Sequence, residues 1–211
     1  ALMDSIPIVC LTGQVPTHLI GNDAFQECDT TGITRPCTKH NYLVKKVEDL
    51  ARVVHEAFHV ARSGRPGPVV IDLPKDVAMA AGLYTPPEKV DYNNYVPQVK
   101  GDKAAIKKAV ALLAGAKKPI FYCGGGVINS GPKASELLVK LVRASGYPCT
   151  LTLMGLGAYP ASDPQFLGML GMHGTYEANM AMHDCDVMVC VGARFDDRIT
   201  GVLSEFSPNS Q

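Results

Sequence analysis

The chain has 211 residues, 46% hydrophobic and 19% charged, so it can bury a core and is not a disordered tail. Its formal net charge is zero and no Lys/Arg block occurs, which removes the electrostatic basis for binding nucleic acid or a membrane surface. No apolar run reaches the length of a bilayer span, and the opening Ala1-Leu2-Met3-Asp4 lacks the positive start of a signal peptide. Seven cysteines, an odd number without CxxC spacing, argue against a disulfide framework or a structural zinc site; single buried thiols in a reducing cytoplasm are expected.

Ile6 to Leu11 is an apolar run ending in Thr12-Gly13 and is expected to form a buried strand. A polar loop follows, with a short helix near Asp23-Ala24-Phe25 and a short strand around Thr38 to Val44. The clearest helix is Val47 to Arg62, with Leu50, Val53, Val54, Ala57, Phe58 and Ala61 as its apolar stripe and Gly64 placed to end it. Val69 to Leu73 is a second buried strand, so strand, helix and strand give a parallel sheet. From Ala78 to Gly101 the periodicity dissolves among Pro86, Pro87, Pro97, Tyr84, Tyr92 and Tyr95. About 24 residues without pattern are too many for the inside of a compact unit, so an interdomain connector is expected.

A second unit starts with a helix from Asp102 to Ala114, with Asp102 as its cap. Strand Ile120 to Cys123 runs into Gly124-Gly125-Gly126, helix Lys133 to Ser145 (apolar at Leu137, Leu138, Leu141 and Val142) stops at Gly146, and strand Cys149 to Leu153 runs into Met154-Gly155. A third strand, Asp186 to Val191, opens into Gly192-Ala193-Arg194 and Phe195-Asp196-Asp197-Arg198. Three glycine-tipped strand ends suit close backbone approach to a ligand at the C-terminal edge of a parallel sheet, and the arginines beyond suit a phosphate or carboxylate.

Two local motifs need weighing. The triple glycine resembles a dinucleotide fingerprint only weakly: Asn129 stands where a third spaced glycine belongs, and no acidic residue closes the next strand. An ordinary NAD-type domain is therefore not expected, and a different arrangement around an extended nucleotide cofactor fits better. His55-Glu56-Ala57-Phe58-His59 matches the zinc-protease pattern, but its histidines fall opposite the apolar stripe, where helix-surface histidines are the plainer account.

Taken together, the segments Thr12–Pro16, Gly21–Glu27, Ser63–Val69, Asp72–Val77, Leu153–Gly157, Met169–Gly174 and Gly192–Arg198 closely resemble the acetohydroxyacid synthase (acetolactate synthase) catalytic subunit family. The resemblance runs the length of the chain. It implies an α/β chain of two parallel-sheet units: the C-terminal part of a thiamin pyrimidine-binding domain (1–77), a linker (78–101) and most of a central FAD-binding domain of the six-stranded type (102–211). It also implies that the chain is an internal piece, without the glutamate that activates the thiamin ring or the segment that holds Mg2+ and the diphosphate.

The activity implied is thiamin-diphosphate-dependent decarboxylation of pyruvate and condensation with a second 2-ketoacid, with FAD held without net redox change. Implied surroundings are a cytoplasmic homo-oligomer, dimer or tetramer, with a separate regulatory subunit, serving branched-chain amino acid synthesis. Residue by residue, Arg198 matches the arginine for the second ketoacid's carboxylate, against the plainer role of an ion pair with Asp196 or Asp197. Gln26 matches an active-centre glutamine, Phe25 and Met172 match apolar pocket walls, and Lys75 matches a lysine at the channel mouth. Pro16 and Ala24 match positions lining that channel, where the family's herbicides bind. For FAD the matches are Arg65, Gly124, Gly125, Gly126, Thr152, Leu153, Met154, Leu170, Gly171, His173, Gly192, Ala193, Arg194 and Asp196.

The competing expectations are another thiamin-dependent decarboxylase or oxidase, and a non-catalytic nucleotide-binding module. The 211 residues alone are expected to be inactive.

Overall fold

The computed structural model describes residues 1–88, 90 and 95–211, and the chain divides into two units, Ala1–Val99 and Lys100–Gln211. The first contains β1 (Val9–Gln14), α1 (Thr30–Thr34), β2 (His40–Leu43), α2 (Val47–Arg62), β3 (Val69–Pro74) and α3 (Lys75–Met79). Its strands form a parallel sheet in the order β1-β3-β2, with Val9 opposite Val69 and Tyr42 opposite Ile71. β3 lies in the middle, which explains why Val69, Val70 and Ile71 are all buried; Val69 and Ile71 share one core with Val53, Ala57 and Val60 of α2.

β1 begins three residues later than expected and is not a buried strand. It lies at one edge of this sheet, and Cys10 and Leu11 are exposed. The segment around Asp23 is a turn rather than a helix, because Asp23 and Gln26 both take left-handed backbone (φ +52° and +61°), which no helix accommodates. α2 spans the expected residues, but its buried face is Val53, Glu56, Ala57, Val60 and Ala61, while Phe58 is 55% exposed. Val60 and Glu56 share a face at the helical i, i+4 spacing, and Phe58 falls off it. Glu56 is accommodated because Arg52 Nη1 donates to its Oε1 at 2.9 Å. His59 is exposed and His55 half-buried, and no group of three or more metal-ligating side chains gathers among the described residues.

α3 reaches into the start of the expected connector, and Tyr95 is tied to the first unit, donating its hydroxyl to Ser63 O at 2.9 Å under the Lys39 ammonium, 4.8 Å from the ring centre. Tyr92 lies outside the described residues.

The second unit contains α4 (Lys103–Gly115), β4 (Pro119–Cys123), α5 (Gly125–Asn129), α6 (Pro132–Ser145), β5 (Cys149–Leu151), β6 (Phe166–Met169), α7 (Tyr176–Asp184), β7 (Val187–Val191) and α8 (Asp197–Thr200). Asp102 caps α4 by accepting from Ala105 N at 2.7 Å, and Gly146, left-handed at φ +73°, ends α6. The four strands are parallel in the order β6-β5-β4-β7. Along the fully buried β4, Phe121 and Cys123 face one core with Leu138, Val142 and Leu151, while Ile120 and Tyr122 face another with Leu170, Met182 and Cys185.

β5 stops at Leu151 rather than Leu153, because the Thr152 hydroxyl accepts from Gly155 N at 3.0 Å and turns the chain. α5 and β6 were not expected: one grows from the triple glycine, and the other is four residues long and holds Gly168 at φ +92°. In α6, Leu138 and Val142 are buried but Leu137 and Leu141 are exposed. All seven cysteines are free thiols; Cys123, Cys149 and Cys185 are buried as expected, but Cys10, Cys28, Cys37 and Cys190 are exposed. No helix among the described residues is long and apolar enough to cross a membrane.

Candidate functional site

In the first unit, β1 and β3 are parallel neighbours, so their C-terminal ends emerge side by side. Between them lies a cavity of about 690 Å³ whose lining includes Thr12, Gln14, Pro16, Ala24, Phe25, Gln26 and Lys75. The sequence expectations Pro16, Ala24, Phe25, Gln26 and Lys75 thus converge on one wall system. Phe25 is 87% exposed, so it is no core residue of this structure. An exposed aromatic, a primary amide and an ammonium around one cavity suit a small anionic ligand with an apolar part.

The loop bearing Phe25 and Gln26 is pinned by side chains rather than by regular structure. Asp76 Oδ1 accepts from Thr17 N at 3.0 Å and its Oδ2 from Thr17 Oγ1 at 2.5 Å. Glu27 takes the amides of Gly21 and, at 3.0 Å, Ala24. Gln14 Nε2 donates to Cys28 O at 2.7 Å and to Asp72 Oδ2 at 2.9 Å. The Thr17 hydroxyl and amide hold the Asp76 carboxyl below the usual carboxylate range, and the Gly21 and Ala24 amides do the same for Glu27. Sequence reasoning gave Gln14, Glu27 and Asp72 no role. An aspartate inside the apolar run Val69–Pro74 was the available signal.

In the second unit the strand ends also gather, and the glycines there pack backbone against backbone. Gly124 N donates to Val191 O and Gly126 N to Gly192 O, both at 2.9 Å. A Cβ on Gly124 would meet Ala193 Cα at 2.5 Å, and one on Gly126 would meet Gly192 Cα at 2.6 Å. These glycines let the ends of β4 and β7 close on each other, so two amides of the triple are used inside the fold. Gly171 N and O are both held by the Asn179 side chain, each at 3.1 Å, and Leu170 is buried in the core.

What the edge leaves exposed is Leu153, Met154, His173 and Arg194, with Thr152 and Ala193 half-buried. The buried Tyr122 hydroxyl donates to Arg194 O at 2.9 Å, a support that sequence reasoning missed, and burial pushes that phenol up. Gly125 sits beside Met154: a Cβ there would lie 3.1 Å from Met154 Cβ.

Met172 and Arg198 are also brought together. Met172 N donates to Arg198 O at 2.8 Å, and Arg198 Nη1 lies 3.8 Å from Met172 Sδ. Met172 is 59% exposed, and the Arg198 side chain is 70% exposed with Asp197 Oδ2 a loose 3.7 Å away. Asp196 instead caps α8, its Oδ1 accepting from Arg198 N at 3.1 Å, and stands 3.6 Å from Arg194. Arg65 lies in the first unit, where its guanidinium binds Ser5 Oγ at 2.9 Å, Met3 O at 3.0 Å and Leu2 O at 3.3 Å. A smaller hollow of about 230 Å³, bordered by Met182, His183 and Phe206, contains only Leu170 of the expected residues.

Comparison with known proteins adds the following. Residues 106–211 match the family model described as the thiamine pyrophosphate enzyme, central domain. The whole chain is 54% identical to the acetolactate synthase isozyme 3 large subunit of Escherichia coli K12 and covers 37% of its length. It is 51% identical to the acetolactate synthase large subunit of Haemophilus influenzae, again over 100% of this chain and 37% of the relative. For the acetolactate synthase of Mycobacterium leprae the values are 49% identity, 100% of this chain and 33% of the relative. The chain thus spans about a third of the length of these curated relatives. Parallel strands ending in a gathered edge, together with these matches, establish that the chain belongs to the thiamine pyrophosphate enzyme family, its second unit being that family's central domain.

Proposed function

We propose that the chain is part of an acetolactate synthase large subunit, which decarboxylates pyruvate and joins the remaining two-carbon unit to a second 2-ketoacid, pyruvate or 2-ketobutyrate. The observation that carries this is the 54% identity along the entire chain to a large subunit of that name. On this reading the first unit is the C-terminal part of the thiamin pyrimidine-binding domain and the second is a central FAD-binding domain. The full-length protein is a cytoplasmic homo-oligomer with a separate regulatory subunit and serves branched-chain amino acid synthesis.

Thiamin diphosphate, when bound, supplies the nucleophilic carbon and the electron sink for decarboxylation; Mg2+ and most contacts to that cofactor belong to other parts of the longer polypeptide. The residues here bind and orient. Gln26 donates its amide to a substrate oxygen, and its side chain is open for that, having no hydrogen bond among the described residues. In the first unit Phe25 excludes water from the bound acid and Lys75 draws that anion toward the cavity; in the second unit Met172 forms an apolar wall beside Arg198. Arg198 grips the second acid's carboxylate through two parallel hydrogen bonds, which selects a ketoacid over an aldehyde.

The exposed edge of the second unit fits a flavin nucleotide through its side chains. Leu153 and Met154 offer an apolar surface to a ring and Arg194 a cation to a diphosphate, with Thr152, His173, Ala193 and Asp196 around them. Gly124, Gly125, Gly126, Gly171 and Gly192 serve that edge by letting its backbone close up.

The test is a product assay on the full-length subunit carrying this chain. Acetolactate from pyruvate is expected, with flavin absorbance in the purified protein; acetaldehyde or acetate as the sole product would assign a different thiamin enzyme. The 211 residues alone are expected to form no acetolactate.

A further inference from the structure

Between Ile20 and Cys28 the chain has neither helix nor strand, yet this is the stretch that places Phe25 and Gln26 on the cavity. Its backbone is unfavourable by itself: Asp23 and Gln26 are non-glycine residues in left-handed conformation, at φ +52° and +61°. Such a conformation persists only where the surroundings over-determine it. One side chain does most of this. The two oxygens of Glu27 are divided between two amides, Oε1 accepting from Gly21 N and Oε2 from Ala24 N at 3.0 Å, while Glu27 N donates to Ala24 O at 3.0 Å. A ring of contacts is closed around the turn, and Gln26 is the residue next to the clasp. Glu27 is half-buried, and no cation pairs with it among the described residues; the hydrogen bonds its carboxylate accepts come from this loop.

We propose that Glu27 is a positioning residue for Gln26, its carboxylate fixing the turn from Gly21 to Ala24 so that the Phe25-Gln26 pair is presented to the cavity. The inference rests on the proposed acetolactate synthase activity, and it adds a residue that acts through Gln26 rather than on substrate. The low carboxyl pKa set by the same amides keeps the clasp ionised at neutral pH. A glutamine at this position has the same length but meets one of the two amides with an NH2 group, so the clasp is half lost.

The experiment is a double-mutant cycle in the full-length subunit, reading acetolactate formation, with folding followed by thermal unfolding and flavin content. Glu27→Gln is expected to lower kcat about tenfold while KM for pyruvate changes less than about twofold. In a Gln26→Ala background the same substitution is expected to change nothing further, because the residue it positions is gone. Equal loss in both backgrounds, or no loss in either, overturns the proposal. Glu27→Asp, which keeps the charge and one amide contact, is carried through the same cycle and is expected to give a smaller loss that also vanishes without Gln26. Should both variants fail to fold, amide hydrogen exchange on the unaltered protein decides: Gly21 and Ala24 exchanging as fast as an unstructured peptide overturns the clasp. An unaltered subunit that forms no acetolactate would sink the proposed activity instead; an active one with undiminished Glu27→Gln sinks only this inference.

Discussion

Gln14 donates its side-chain amide to Asp72 Oδ2 at 2.9 Å, joining the cavity loop to the buried middle strand of the first sheet. The other oxygen of Asp72 accepts from Thr12 Oγ1 at 2.7 Å, and the residue is only 1% exposed. The same Gln14 nitrogen reaches Cys28 O, just beyond Gln26. One buried carboxylate thereby fixes the end of β1 and, through it, the loop that carries the candidate site.

Asp72→Asn puts an amide donor against one of two donors, leaving a buried group without its partner. A loss of about 1–3 kcal/mol is expected. Denaturant unfolding of this chain measures it, and an unchanged midpoint would contradict the network described.

Gly124→Ala forces a Cβ to within 2.5 Å of Ala193 Cα and Gly192 O, both backbone positions that cannot swing aside. A loss of about 3 kcal/mol or more is expected. Gly115→Ala, at the end of α4 with nothing within 4 Å, is expected instead to gain about 0.5–1 kcal/mol. Equal behaviour of the two variants in thermal unfolding would argue against the close approach of β4 and β7.

Arg198→Lys in the full-length subunit keeps the charge but removes the fork that the proposed carboxylate grip needs, and kcat/KM for acetolactate is expected to fall about tenfold or more. On the proposed role, in which Arg198 grips the second acid, release of carbon dioxide from the first pyruvate is expected to suffer less. Equal loss of both products would assign Arg198 a different task.

Five carboxyls are held below their ordinary range, each chiefly by one hydrogen bond: Glu27 by the Gly21 amide, Asp29 by the Gly32 amide, Asp76 by the Thr17 hydroxyl, Asp163 by the Gln165 amide and Asp186 by the Lys117 amide. A folded-state pKa below the unfolded one means that the unfolded chain takes up protons first as pH falls. The stabilisation is therefore complete above about pH 5, begins to fall through the unfolded values and is lost as pH drops through the folded ones. The thermal midpoint is expected to fall steadily below about pH 4; a midpoint that rises there would reverse the sign.

Apolar runs of strand length alternating with the helical patterns Val47 to Arg62 and Lys133 to Ser145 announced two parallel α/β units, and Asp102 and Gly146 marked helix ends, because caps and periodicity are local properties. The resemblance picked out Phe25, Gln26 and Lys75 as site residues, and the structure places them on one cavity. What only the tertiary structure decided is who uses each polar group. Gln14 meets Asp72 across 58 positions and Tyr122 meets Arg194 across 72, and Val191 O and Gly192 O claim the amides of the triple glycine. Phe58, expected on the apolar stripe, is exposed while Val60 is buried, since the buried face of α2 is chosen by the sheet it covers. Short-range spacing encodes an element and its faces; a hydrogen bond between distant residues exists only once packing has brought its two ends together.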